Sequence, residues 1–191
     1  MSRLRVLVLA SGSGTLFQAL IDQQSQLNIE LVGLISDAQV PACDRANAAD
    51  IPVQVVLLGH DRSAWDEQLR DAIASFTSDL IVSAGFMRVI GPKTLAAFEG
   101  RIINTHPALL PQFPGAHAVR DAIEAHVEIT GSTIHFVDAG VDTGEIIEQR
   151  EVAVLDSDNE STLHERIKVV QRELLVETVG KFARGELKVK P

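Results

Sequence analysis

Cysteine is nearly absent: Cys43 is the one thiol in 191 residues. A lone thiol excludes an internal disulfide framework and a zinc site built from several cysteines. Its simplest use is as a small buried hydrophobe. Basic residues are also short, with 17 Lys and Arg against 26 Asp and Glu and a formal net charge of -9. General nucleic-acid binding needs cations to neutralise phosphates, so the balance argues against that class. It leaves room for one small phosphate held by backbone amides. No internal repeat or low-complexity tract is present. The N-terminal MSRLRVLVLASGSGT holds too short an apolar run for a membrane helix and lacks a secretory core. The expectation is a cytoplasmic protein that engages no membrane.

What is present is an ordinary globular balance, 46% hydrophobic and 23% charged, in a length that suggests one domain with a sizeable core. Apolar runs at 4–10, 29–36, 52–58, 80–86 and 101–106 read as strands. Segments 15–25, 41–50, 63–76 and 116–126 read as helices, the third with Ser63 as N-cap and Trp65 as a core anchor. Several strands are apolar throughout, as in a parallel sheet covered on both faces. After residue 127 the pattern changes. EITGSTIHFVDAG and GEIIEQREVAV read as an antiparallel addition at the sheet edge. A long C-terminal helix follows from residue 160, with Gly185 as its stop. The predicted fold is a single-domain α/β protein, a Rossmann-like, open, mostly parallel twisted sheet with an antiparallel C-terminal edge. Ligands of such sheets bind beyond the carboxyl ends of the strands.

Four segments at those ends carry candidate chemistry. In LASGSGT, Gly12 and Gly14 permit close backbone approach and positive φ, Ser11, Ser13 and Thr15 add hydroxyls, and a helix start follows. That suits a phosphate, although a tight turn with a cap would look the same. The loop is not a full dinucleotide fingerprint, because Phe17 takes the third glycine position, nor a Walker loop, because no Gly-Lys-Ser/Thr follows. Asn104 and His106 are two apart, so they share one face of a strand while Thr105 points away. An amide beside an imidazole stabilises a developing oxyanion, and the imidazole passes on a proton. A capped strand end is the plain alternative. The loop DAGVDTGE offers Asp138 and Asp142; Asp142, deepest in the loop, is the expected partner that raises and orients a histidine, unless the segment is only a turn. SAGFMRVIGP offers backbone groups for a flat heterocycle and Met87 and Ile90 for its faces; a plain core segment with Arg88 in solvent is the alternative. His135 reads as a packed strand histidine, and His117 as a cap or a cleft residue. The spacing of His106, His117 and His135 gives no support for a metal, and none is expected.

Taken together, SGSGT, AGFMRVI, INTHPALLPQFPGAHAVRDAI, TGSTIHFVDAGVDTGEII and LHERIK say more than each alone. Through them the chain resembles the glycinamide ribonucleotide transformylases (phosphoribosylglycinamide formyltransferases) of de novo purine biosynthesis, over almost all its length. The resemblance implies glycinamide ribonucleotide as acceptor and 10-formyltetrahydrofolate, a reduced folate, as formyl donor, with direct attack by the amine. It implies catalytic roles for Asn104, His106 and Asp142, with His106 protonated. Ribonucleotide contacts fall on Gly12, Ser13, Gly14, Thr15, Leu16, Pro107 and Gln171. Folate contacts fall on Arg62, Met87, Arg88, Val89, Ile90 and Asn104, and on Asp138, Ala139, Gly140, Val141 and Asp142. Two positions depart from the pattern: Leu16 stands where many relatives have Asn, and Gln171 where they often have Glu. Residues 1–100 are expected to form the ribonucleotide phosphate-binding half of one domain, and 101–191 its catalytic and folate-binding half. Monomer and homodimer are both compatible with the sequence. A methionyl-tRNA formyltransferase would share the trio and add a tRNA-binding domain. A formyltetrahydrofolate hydrolase would add an N-terminal regulatory domain, and neither addition is expected here. A dinucleotide-binding module, with Asp37 as its acidic residue, would leave the trio without a use.

Overall fold

The computed structural model describes residues 2–190. In chain order the elements are β1 (Leu4–Leu9), α1 (Thr15–Leu27), β2 (Ile29–Ser36), α2 (Pro41–Ala48), β3 (Val53–Val55), α3 (Arg62–Ser75), β4 (Leu80–Ser83), α4 (Pro92–Ala97), β5 (Ile102–His106), α5 (Ala118–Glu124), β6 (Ile129–Phe136), β7 (Ile146–Ala153) and α6 (Glu160–Ala183). They build one seven-stranded sheet in the order β3-β2-β1-β4-β5-β6-β7. The first five strands are mutually parallel, and β6 and β7 continue the sheet antiparallel. The expected α/β architecture with an antiparallel edge is therefore present.

β1 shows why its sequence is apolar at consecutive positions. Val6 and Val8 enter one core with Phe17 and Leu20 of α1 and Leu174, Leu175 and Val179 of α6. Leu7 and Leu9 enter a second core with Trp65, Leu69 and Ile73 of α3. Alternate side chains of a strand point to opposite faces, so a strand covered on both sides needs hydrophobes at every position. Trp65 anchors the second core as expected. It stacks 6.3 Å from Phe86, and its indole N–H donates to the Val56 carbonyl at 3.0 Å. Cys43 is fully buried.

Several boundaries differ from the sequence reading. β3 is three residues long and β4 stops at Ser83; the Val56 and Ala84 amides make a last bond to Ser36 and Leu9, and the apolar residues beyond them lie in loops. α3 is capped by Asp61, whose carboxylate accepts from Ser63 and Ala64 amides; Ser63 lies inside the helix. α5 covers only 118–124, preceded by Gly115 at φ 91. A short helix the pattern did not reveal, α4, begins at Pro92. Its cap comes from a different element. Asp66 of α3, 3% exposed, accepts from the Lys93 amide at 2.8 Å, the Thr94 amide at 3.2 Å and the Thr94 hydroxyl at 2.6 Å. Asp66→Ala strands the Lys93 amide and the buried Thr94 amide, while the Thr94 hydroxyl keeps the Asp66 carbonyl at 3.0 Å. The expected loss is about 2–4 kcal/mol of unfolding free energy, read by urea titration; a loss below about 0.5 kcal/mol would show that the cap is dispensable.

The crossover from β3 to β4 passes to the other side of β1. Ligands of doubly wound sheets bind at this reversal, where the loops leaving two neighbouring strands diverge. Here it lies between the loops that follow β1 and β4.

Candidate functional site

A cavity of about 460 Å³ opens at this reversal. Its walls are the 11–16 loop after β1, the 83–90 loop after β4, the end of β5, the 115–119 segment, the 138–142 loop and one face of α6. Nearly every site residue expected from the sequence lines it. Arg62 and Ala139 are the exceptions. The Arg62 guanidinium stacks 4.5 Å from the Trp65 ring centre and donates to the Val89 carbonyl, so it braces the wall from behind.

The 12–15 loop is built as an amide nest. Its carbonyls are occupied on the side away from the cavity: Gly12 accepts from the Ala42 amide at 3.1 Å and Gly14 from the Gln18 amide at 2.9 Å. Ser13 accepts from Arg45 Nε at 2.8 Å. In a trans peptide the C=O and the next N–H point in opposite directions. Fastening these carbonyls behind the loop aims the Ser13, Gly14 and Thr15 amides forward. Among the described residues those amides have no protein acceptor. They sit at the start of the 13-residue α1, where the helix dipole also favours an anion. Gly14 adopts φ 70, and a Cβ there would lie 2.7 Å from the Ala42 Cβ. At Gly12 a Cβ would meet nothing within 4 Å, so its open side faces the cavity. Leu16 turns into the core at 8% exposure and offers no polar side chain.

At the end of β5 the strand register brings four side chains together. Asn104 lies opposite His135 of β6, and the 138–142 loop folds back over both. Asp142 Oδ2 is 3.3 Å from His106 Nδ1 and accepts the Gly115 amide at 2.8 Å. Asp142 Oδ1 is 3.4 Å from both Asn104 Nδ2 and His135 Nε2. His135 Nδ1 donates to the Phe136 carbonyl at 2.8 Å. Its Nε2 therefore accepts from Asn104 at 3.2 Å when the ring is neutral and donates to Asp142 when it is charged. His106 Nε2 donates to the Phe113 carbonyl at 2.7 Å. Two of the groups that hold the cluster are on residues with left-handed backbone, Phe113 at φ 53 and Asp142 at φ 54. Non-glycine residues adopt this region at a cost, and such strain gathers at functional sites.

Burial alone would raise the Asp142 carboxyl; its contact with His135, the Gly115 amide and the charge on His106 reverse that and hold it at about 2. His106 goes the other way. Burial lowers its pKa below the ordinary 6.5, and Asp142 and the Phe113 carbonyl only partly offset this. Both ring nitrogens face acceptors, Nε2 the Phe113 carbonyl and Nδ1 the Asp142 carboxylate, so the contacts favour the charged ring that the sequence suggests while burial works against it. Asp138 is not the partner of His106: its Oδ1 accepts from Gly140 N at 3.0 Å and Thr143 Oγ1 at 2.7 Å and shapes the loop.

The opposite wall is apolar and open. Met87, Val89 and Val141 are 64%, 61% and 53% exposed, a concentration of unburied hydrophobes around a cavity that suits a flat ligand. Ser11 ties this wall to the amide nest. Its amide donates to Gly85 O at 3.0 Å, and its hydroxyl accepts from Met87 N at 2.9 Å. Arg88 pairs through Nε with Asp37 at 2.5 Å; this pairing buries Asp37 and removes it as a ribose ligand of the dinucleotide type.

Sequence reading undervalued His135 and did not single out Glu160, His164 and Lys168, which line the cavity with Gln171. The α6 residues had a usable signal, because 160, 164, 168 and 171 recur at helical spacing. His135 had none, since its role depends on cross-strand register.

Comparison with known proteins shows the family. The formyl transferase family model matches residues 4–179. Phosphoribosylglycinamide formyltransferase of Mycobacterium tuberculosis is 49% identical over 182 residues, covering 94% of this chain and 85% of the relative. Glycinamide ribonucleotide transformylase 1 from Symbiobacterium toebii superposes with a TM-score of 0.94 at 37% identity, covering 99% of this chain and 92% of that one. Phosphoribosylglycinamide formyltransferase from Bacillus halodurans gives 0.88 at 41% identity, with 93% and 94% covered. This chain belongs to the formyl transferase family, among the phosphoribosylglycinamide formyltransferases.

Proposed function

We propose that the protein transfers the formyl group of 10-formyltetrahydrofolate to the amine of glycinamide ribonucleotide, a step of de novo purine biosynthesis. The observation that carries this reading is the single cavity that joins an amide nest, an open apolar wall and the Asn104–His106–Asp142 cluster. The nest at Gly12–Thr15 takes the phosphate, with Pro107 and Gln171 beside the ribonucleotide. Met87, Val89, Ile90 and Val141 face the folate ring, and backbone groups of the 88–90 and 138–142 segments supply its hydrogen bonds. Residues 1–100 thus provide the phosphate end and 101–191 the reacting groups, while the folate wall draws on both.

The amine is itself the nucleophile, so no activated Ser or Cys is required. Its attack on the formyl carbon forms a C–N bond and moves the carbonyl electron pair onto oxygen. The Asn104 amide donates to that oxyanion. The anion that develops beside His106 raises the imidazole pKa and favours its protonated form against the burial that lowers it. Its Nε2 exchanges the Phe113 carbonyl for the oxyanion, a charged and therefore stronger acceptor. The proton lost by the amine passes through the Asp142–His106 pair. It goes to the folate nitrogen as the bond from that nitrogen to the formyl carbon breaks.

A formyl-transfer assay tests the assignment. Loss of the formyl group from 10-formyltetrahydrofolate is followed with and without glycinamide ribonucleotide. The expected result is turnover only with the ribonucleotide. Formyl loss at the same rate without it would overturn the reading in favour of a hydrolase.

A further inference from the structure

We infer that Arg45, on α2 and outside the cavity, is a positioning residue for the phosphate loop; this rests on the assignment of the phosphate to Gly12–Thr15. Of the three loop carbonyls held from behind, Gly12 and Gly14 are held by main-chain amides of Ala42 and Gln18. Those bonds survive almost any substitution. The Ser13 carbonyl alone depends on a side chain, Arg45 Nε at 2.8 Å.

The geometry gives this bond a specific consequence. The Ser13 carbonyl and the Gly14 amide belong to one peptide unit, so the guanidinium that fixes the first also aims the second. Gly14 sits at φ 70 and, as a glycine, tolerates many backbone angles. Without a clamp the 13–14 peptide is free to rotate. Rotation withdraws the amide and turns a carbonyl oxygen toward the phosphate, replacing attraction with repulsion. Arg45 opposes this at both ends of its fork. Its Nη1 donates to Gln18 Oε1 at 3.0 Å, tying the guanidinium to the first turns of α1, and its Cδ would lie 3.3 Å from a Cβ at Gly14. Lysine carries its three donors on one nitrogen and lacks the planar fork that reaches Ser13 and Gln18 together.

The decisive experiment separates loop positioning from general support of the fold. Competitive inhibition or steady-state kinetics gives the affinity for glycinamide ribonucleotide and for the same ribonucleoside without its phosphate. Both are measured in wild type, Arg45→Met, Arg45→Lys and Gly12→Val. Arg45→Met is expected to weaken the ribonucleotide by about tenfold, the worth of one charge-assisted hydrogen bond. The ribonucleoside, the folate KM and kcat are expected to stay within about twofold, since none of them depends on the phosphate contact. Arg45→Lys is expected to recover part of the loss. Equal weakening of ribonucleotide and ribonucleoside, or no change in either, overturns the inference. Gly12→Val keeps the two failures apart. If it leaves the preference for the phosphorylated ligand intact, the phosphate-loop assignment itself falls. If it abolishes that preference and Arg45→Met does not, only the role of Arg45 falls.

Discussion

Asp142→Asn is expected to lower kcat by about a thousandfold, with KM for both substrates within about threefold. The replacement is nearly isosteric, so the effect is electronic. Asp142 Oδ2 accepts the Gly115 amide and faces His106, while Oδ1 faces Asn104 and His135. An asparagine presents its NH₂ to one of these sides whichever way it turns, setting donor against donor. It also removes the anion that partly offsets the burial of His106. The imidazolium then becomes harder to form at the moment the oxyanion needs it. The pH behaviour follows from the directions of the shifts. The Asp142 carboxyl is lowered from 3.8 to about 2, so its contribution to stability is complete above 3.8 and is lost as pH falls through about 2. The stability gap between wild type and variant is therefore constant near neutrality and narrows only in strong acid. His106 is lowered from 6.5, so the unfolded chain takes up its proton first and folded stability declines as pH drops below 6.5. A reduction in kcat of less than tenfold would reject the catalytic assignment. An acid limb near pH 4 in wild type that the variant lacks would leave that assignment standing and show instead that the Asp142 carboxyl is not lowered.

Gly12→Val carries the second large effect, on one substrate only. A Cβ at Gly12 meets nothing within 4 Å, and its φ is not in the left-handed region, so the variant is expected to fold with a Tm within a few degrees of wild type. The added methyls occupy the open side of the loop, where the Ser13, Gly14 and Thr15 amides face the cavity. A phosphate held off by one side chain loses two or more charge-assisted hydrogen bonds, each worth roughly 1.5–3 kcal/mol. The KM for the ribonucleotide is therefore expected to rise by about a hundredfold or more, while folate affinity changes by less than about threefold. Equal weakening of folate would mean that the loop serves the cavity as a whole. Gly14 would not make this test, because a side chain there collides with Ala42 behind the loop and strains the backbone.

The departures at Leu16 and Gln171 have different structural meanings. Leu16 packs in the core, so its side chain offers the loop no polar group, and the donors there are the backbone amides. Gln171 is 5% exposed yet lines the cavity. Its amide keeps both a donor and an acceptor available in a neutral form.

Local chemistry made much of this protein legible in one dimension. Consecutive hydrophobes in β1 and β4 announced strands buried on both faces, because period-2 geometry leaves no side for polar residues. Asn104 and His106 were recognisable for the same reason, since two residues apart in a strand means one face. The glycines of the first loop announced a backbone turn before a helix. Other features depended on groups far apart in sequence. Asp66 caps α4 from another helix, and no pattern around Pro92 reveals that acceptor. His135 became part of the cluster through the β5–β6 register, which places it opposite Asn104. Arg62 was displaced from the cavity to its outer wall by stacking on Trp65. The pKa of His106 depends on three dimensions as well: adjacency to a carboxylate raises it, but the burial that lowers it is not written in spacing. Patterning specifies which face of an element is polar, because that is a property of a few neighbouring residues. Desolvation and cross-strand pairing are properties of the assembled volume, and only the folded chain sets them.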